Sequence, residues 1–492
     1  MKQLFFLFLI CAASFIGCGG KESSNTPEPQ PVDADVSVNP GIRKQEIDPG
    51  FFGVCLVYFK QTDKEMEAYP IEQYLKDMKC GFLRYPGGTV ADNFDWRKSA
   101  SLDIKRGPKV VDPSSMTTDG FISLCRRIGA EPLICVNSEV GFFADVDSAA
   151  NMAANWVKYC NIEKGYNIKY WEIGNEPYYE FRFTPVEYGL LFKKVAKAMR
   201  KVDPSIKICA VGEWNHEFSG NREMVDPSFR STIADMQYRL ETESDPGFTR
   251  EQLKTMYPNN GVKNNWWQKL IDVAGEDIDV VSVHWYYNLN QLTNMESLYQ
   301  SLWDRIYSMA PKGKKYEMIM TEWSLHESTN TFGMERALTV AEASCKSIGA
   351  GVTKAAYWPL HYNGMHDKKG LLKDATMLPQ ANYKLLKFMA NNIGRYQVDI
   401  ASKSTTPYAF ASVNDEGDIF LYLINRTNVA VTTSVNFKDC PARQVNVRTM
   451  DGSADKSGDD PEKIEIQAPY DGKSMELTIP AYSMSIVTYP GR

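Results

Sequence analysis

Histidine is scarce in this chain, with five residues in 492, and none of the five stands at a metal-ligand spacing. No cluster of Lys and Arg offsets the formal charge of −6, so an electrostatic footprint for nucleic acid is missing. C-x-x-C pairs are also lacking. The eight cysteines after Cys18 (Cys55, Cys80, Cys125, Cys135, Cys160, Cys209, Cys345 and Cys440) are scattered through apolar runs. They read as buried free thiols rather than a disulfide framework. These absences together predict no metal, no cofactor and no nucleic-acid partner.

The apolar run Leu4–Ile16 behind Lys2 is too short to cross a bilayer and reads as an export signal. It ends at Phe15-Ile16-Gly17-Cys18, which resembles a bacterial lipobox with Cys18 as the lipidated first residue. The expectation is a lipoprotein of the periplasm or outer membrane/cell surface, partnered with the membrane through that anchor. A secretory signal cut elsewhere is the alternative. Residues 1–17 are then the signal peptide and 18–34 a polar, Pro-rich tether.

What the chain does have is rhythm. From residue 51, short β-branched or aromatic runs alternate with amphipathic stretches. Candidate strands are Phe51–Phe59, Phe82–Pro86, Glu131–Asn137, Tyr170–Asn175, Ile206–Val211, Val280–Tyr286, Glu317–Glu322 and Lys354–Leu360. Candidate helices lie near 70–80, 115–129, 146–164, 185–202, 264–275, 295–309, 334–349 and 378–393. Eight such units predict an α/β fold, a (β/α)8 TIM barrel over residues 47–394. Beyond 394 the runs shorten to strands between turn signals, from Pro407–Val413 to Met475–Tyr489. Residues 395–492, with 35–46 added from before the barrel, read as an all-β sandwich. The interval Glu213–Asn264 is far longer than an ordinary βα loop and is expected to shape a substrate cleft.

In such barrels chemistry sits where strands end. The fourth strand ends in Gly174-Asn175-Glu176-Pro177, and Pro177 cannot continue a ladder. The seventh ends in Thr321-Glu322-Trp323. Two carboxylates at one barrel mouth suit glycoside hydrolysis, one protonating the leaving oxygen and one attacking the anomeric carbon. His284 and Tyr286 share the inward face of the sixth strand by the two-residue period. Arg84, in RYPGG, is placed to hold a nucleophile ionised; a salt bridge inside the barrel is its other reading. His216, His284, His326, His361 and His366 all fall on or just after strands five to eight. Trp323, His361 and Trp214, at the head of the long interval, complete the expected carbohydrate contacts.

Arg84–Gly88, Val136-Asn137, Ala154–Asn161, Gly174-Asn175-Glu176, His284–Tyr286 and Glu322-Trp323 together resemble glycoside hydrolase family 51, the α-L-arabinofuranosidases. They are similar more loosely to families 39 and 79 of the same retaining clan. The resemblance implies Glu176 as acid/base and Glu322 as nucleophile. It implies Asn175 on the sugar 2-hydroxyl, with Arg84 and Tyr286 against the nucleophile. One departure stands out: the family carries Glu then His on the first strand, where this chain has Val57 and Tyr58. The alternatives are an endo- or exo-glycanase on β-linked pyranosides and a non-catalytic glycan-binding lipoprotein.

Overall fold

The computed structural model describes residues 34–102, 114–140, 146–178, 183, 185–214 and 266–491. Cys18, His216 and nearly all of the long interval lie outside these described residues. Strand β1 (Ala34–Glu46) precedes β2 (Gly53–Cys55) and β3 (Phe82–Tyr85). A short pair follows, β4 (Phe94–Asp95) and β5 (Ala100–Ser101). Then come β6 (Glu131–Val136), β7 (Tyr170–Ile173), β8 (Lys207–Glu213), β9 (Val280–Tyr287), β10 (Glu317–Leu325) and β11 (Lys354–Tyr357). Strands β2, β3, β6, β7, β8, β9, β10 and β11 close a parallel barrel in that order. Helices cover its outside, the longest at Pro185–Val202. All eight described cysteines are free, and all but Cys440 are buried.

The second domain holds β12 (Tyr396–Ser402), β13 (Tyr408–Val413), β14 (Ile419–Asn425), β15 (Val431–Phe437), β16 (Arg443–Asp451), β17 (Glu462–Tyr470), β18 (Met475–Ile479) and β19 (Ser483–Tyr489). Strand β1 joins it, antiparallel to β12 and parallel to β15. Alternating burial along β15 and β18 marks one packed face and one wet face. The apolar faces build a core of their own around Val36, Leu421, Leu423, Val435 and Val487.

Several expected boundaries shift for local reasons. The first barrel strand shrinks to Gly53–Cys55, because Pro49–Phe51 is a 3-10 turn capped by Asp48. The fourth stops at Ile173, where Gly174 takes φ 73° and Glu176 φ 41°. The third helix gives way to a π-turn at Lys158–Glu163. Met475–Tyr489 is two strands, divided by Pro480. Tyr396–Ser402 was not anticipated as a strand; it pairs with β1, which precedes the whole barrel in sequence.

Candidate active site

The parallel strands bring Arg84, Glu172, Ser282, His284, Tyr286, Thr321 and Glu322 into the barrel's mouth. On β9 the two-residue period turns Ser282, His284 and Tyr286 inward. On β10 the register breaks between Met320 and Glu322. That bulge lets the adjacent Thr321 and Glu322 both face the interior.

Glu322 is held on both oxygens. Arg84 Nη1 donates to Oε1 at 2.7 Å and the Tyr286 hydroxyl to Oε2 at 2.6 Å. Burial favours its neutral form, but the His284 and Arg84 charges and the Tyr286 bond prevail and keep it below the usual carboxylate range. Gly88 is required here, since a Cβ on it would lie 2.6 Å from Glu322 Oε1. Its neighbour Gly87 makes the turn at φ 141°.

Glu176 stands on the turn after β7, with 18% of its side chain open to solvent. Its Oε1 lies 2.9 Å from His284 Nδ1, whose Nε2 lies 2.9 Å from Thr321 Oγ1. Burial opposes charge on His284, but Glu322 and the bond to Glu176 outweigh it and raise its pKa. The Asn175 amide oxygen accepts from Arg84 Nη2 at 2.9 Å, and its backbone N–H donates to Asp92.

One ligand atom each from Glu176, His284 and Glu322 fall within 4.8 Å of one another. Such a donor set could coordinate a cation in principle. Arg84, 2.7 Å from Glu322 Oε1, already supplies the positive charge there and repels a second one. The arrangement fits two carboxylates with separate tasks better than a metal centre.

Three expected contacts sit elsewhere. Trp323 is buried among Phe51, Tyr287 and Tyr357. It pairs in register with Trp285 on the barrel's outer side, so it is core and not a sugar contact. His361 is buried with Nδ1 3.0 Å from Asp374 and Nε2 3.6 Å from Glu65, so its ring faces these two carboxylates. Trp214 is half-buried and stacks on Trp285 at 4.4 Å, a packing contact. Conversely, sequence reasoning passed over Glu172, Ser282, Thr321 and Asp92. The two-residue period flags Ser282, two before His284, and Glu172 on β7. Thr321 is hidden by the bulge.

Fold and site thus define a (β/α)8 barrel with a paired-glutamate mouth and a β-sandwich companion. Residues 74–246 match the family model of the alpha-L-arabinofuranosidase 1 domain. An intracellular exo-alpha-(1->5)-L-arabinofuranosidase of Acetivibrio thermocellus is 25% identical over 205 residues, 36% of this chain and 38% of that protein. Alpha-L-arabinofuranosidase C of Emericella nidulans is 26% identical over 215 residues, 36% of this chain and 41% of its own. The chain therefore spans about two fifths of the curated relatives it matches. The alpha-L-arabinofuranosidase structure from Thermotoga maritima superposes with a TM-score of 0.69 at 18% identity, over 93% of this chain and 100% of that one. In sequence over about a third of its length and in fold over 93% of it, the chain is similar to family 51 arabinofuranosidases. The family match contains Arg84, Asn175 and Glu176 and stops before His284 and Glu322.

Proposed function

We propose that this protein is a retaining glycoside hydrolase of α-L-arabinofuranosidase type. The observation that carries the reading is the closeness of the two glutamates, with oxygens inside 4.8 Å. Retaining enzymes place these groups roughly 5–5.5 Å apart, too close for the water of an inverting enzyme. In the first step Glu322 attacks the anomeric carbon while the bond to the leaving oxygen breaks and takes the Glu176 proton. In the second, Glu176 removes a proton from water, whose oxygen displaces Glu322. Tyr286 and Arg84 hold Glu322 ionised and aimed. Arg84 occupies the Asn175 carbonyl, which turns the amide N–H groups to the sugar's 2-hydroxyl. The names of the matched relatives support arabinofuranose as the sugar.

A β-linked pyranoside is the second reading, and one observation favours it. Val57 and Tyr58, where the family has Glu and His, are buried, and the Tyr58 hydroxyl is taken up by Ser101 at 2.9 Å. Neither residue supplies a carboxylate to a furanose hydroxyl. A panel of aryl glycosides and oligosaccharides separates the two. Proton NMR of the first-formed sugar tests the mechanism, and a product of inverted configuration would overturn it. The Cys18 anchor belongs to the same proposal and rests on sequence; no described helix is long and apolar enough to cross a membrane. Cys18→Ser should release the protein from the membrane fraction with its hydrolytic rate unaltered.

A further inference from the structure

Beneath the two glutamates lies a third, Glu172, four residues before Glu176 and fully buried. Its Oε2 accepts from Arg84 Nε at 2.7 Å. Its Oε1 faces the hydroxyls of Thr321 at 2.5 Å and Ser282 at 3.0 Å, which also touch each other. The thiols of Cys55, Cys135 and Cys209 and the Tyr188 hydroxyl are its other titratable neighbours. Arg84, held here, reaches on to Glu322 and Asn175.

A hydroxyl has one proton to give. Thr321 gives its proton to Glu172, because otherwise two acceptor oxygens would face each other at 2.5 Å. Thr321 Oγ1 can then only accept from His284, so His284 Nε2 carries a hydrogen. That leaves Nδ1 to Glu176.

We infer that Glu172 is a positioning residue coupling the two catalytic glutamates: through Arg84 it orients Glu322, and through Thr321 it fixes the His284 tautomer that shares one proton with Glu176. When Glu176 gives this shared proton to the leaving oxygen, it is left a carboxylate and His284 is neutral, with hydrogen kept on Nε2. The proton that Glu176 takes from water in the second step restores the shared one. The charged groups facing His284 are Glu176 at 2.9 Å, Glu322 at 3.8 Å and Arg84 behind them.

The kinetic part of this inference rests on the glycosidase reading; the tautomer does not. The test uses full-length protein carrying 15N-histidine, with NMR titration beside the pH profile of kcat. Glu172→Gln removes a buried negative charge, so the His284 titration and both limbs of the profile should move to lower pH by about one unit. The value of kcat should fall with KM little changed. Thr321→Val should move the neutral hydrogen from Nε2 to Nδ1 and shift the alkaline limb alone, and Thr321→Ser should restore both. Should Glu172→Gln not fold, the two Thr321 variants decide. A wild-type His284 that is neutral with hydrogen on Nδ1 overturns the inference. So does an unmoved titration in folded Glu172→Gln or Thr321→Val. Expected spectra in a protein that cleaves no glycoside would sink the glycosidase reading and leave the coupling standing.

Discussion

The two ends of the barrel are built from the same materials and do different things. At the floor, where strands begin, Glu317 accepts from Lys207 at 2.6 Å, Lys354 at 3.3 Å, Tyr170 at 3.0 Å and Thr353 at 2.9 Å. Burial favours its neutral form, but the two lysines win and hold it at about 2. Lys354 is tied further to Asp48 at 2.7 Å. Five residues along the same strand, Glu322 sits in the mouth with His284 and Glu176, whose shared proton has two homes. A carboxylate fully matched by fixed cations is a strut, while one sharing its surroundings with a titrating imidazole can do chemistry. The sharpest contrast is therefore between Glu317 and Glu322.

Glu322→Ala should have the largest effect on catalysis, lowering turnover at least about a thousandfold, since no other group can form the covalent intermediate. Azide should restore part of the rate and yield product of inverted configuration. Glu176→Ala should cost about a hundredfold to ten-thousandfold on poor leaving groups and far less on very acidic ones. Azide should then give product of retained configuration. Full activity in either variant removes that residue from its role.

Glu317→Gln tests the other end. It should leave kcat within about twofold of wild type and lower stability by about 3 kcal/mol, because two lysines lose their buried counter-charge. Urea unfolding beside steady-state kinetics reads both. Because folding depresses the Glu317 pKa, its stabilisation is present above the ordinary carboxylate pKa of 4.5. It is lost as pH falls from there towards about 2. With screening on its open side this amounts to about 2 kcal/mol. The stability difference between wild type and Glu317→Gln should shrink by about 2 kcal/mol at the low end of that window. A floor variant that lost activity and kept stability would erase the contrast between the two ends.

The sequence made the mouth readable in part. Strand ends and the two-residue period place Glu176, His284, Tyr286 and Arg84, because regular strands repeat every two residues. Thr321 and Glu322 facing inward together depends on a bulge, which no periodicity announces. Glu172 is visible as an inward position, but its importance appears only when Arg84 from β3 and Thr321 from β10 converge on it. Trp323 misled for the converse reason: adjacency to Glu322 in sequence means the opposite face on a strand. The strand Tyr396–Ser402 escaped because most of its ladder is made with β1, more than three hundred residues away.

Trp214 gives the smallest expected effect and sharpens the boundary between mouth and scaffold. It stands at the end of β8, where an insertion begins, a place suited to touching sugar. Its ring nevertheless lies flat on Trp285, 4.4 Å away with an interplanar angle of 7°, and Trp285 is itself buried against Tyr299. Offset stacking contributes about 1 kcal/mol beyond the buried area. Trp214→Ala should therefore lower stability by about 1–2 kcal/mol and change KM less than twofold. Trp214→Phe, keeping a ring on Trp285, should recover most of the loss. Urea midpoints and KM measured on all three proteins decide it. If Trp214→Ala instead raised KM tenfold at unchanged stability, the exposed face of the indole would be a sugar platform, and the substrate cleft would extend to the end of β8.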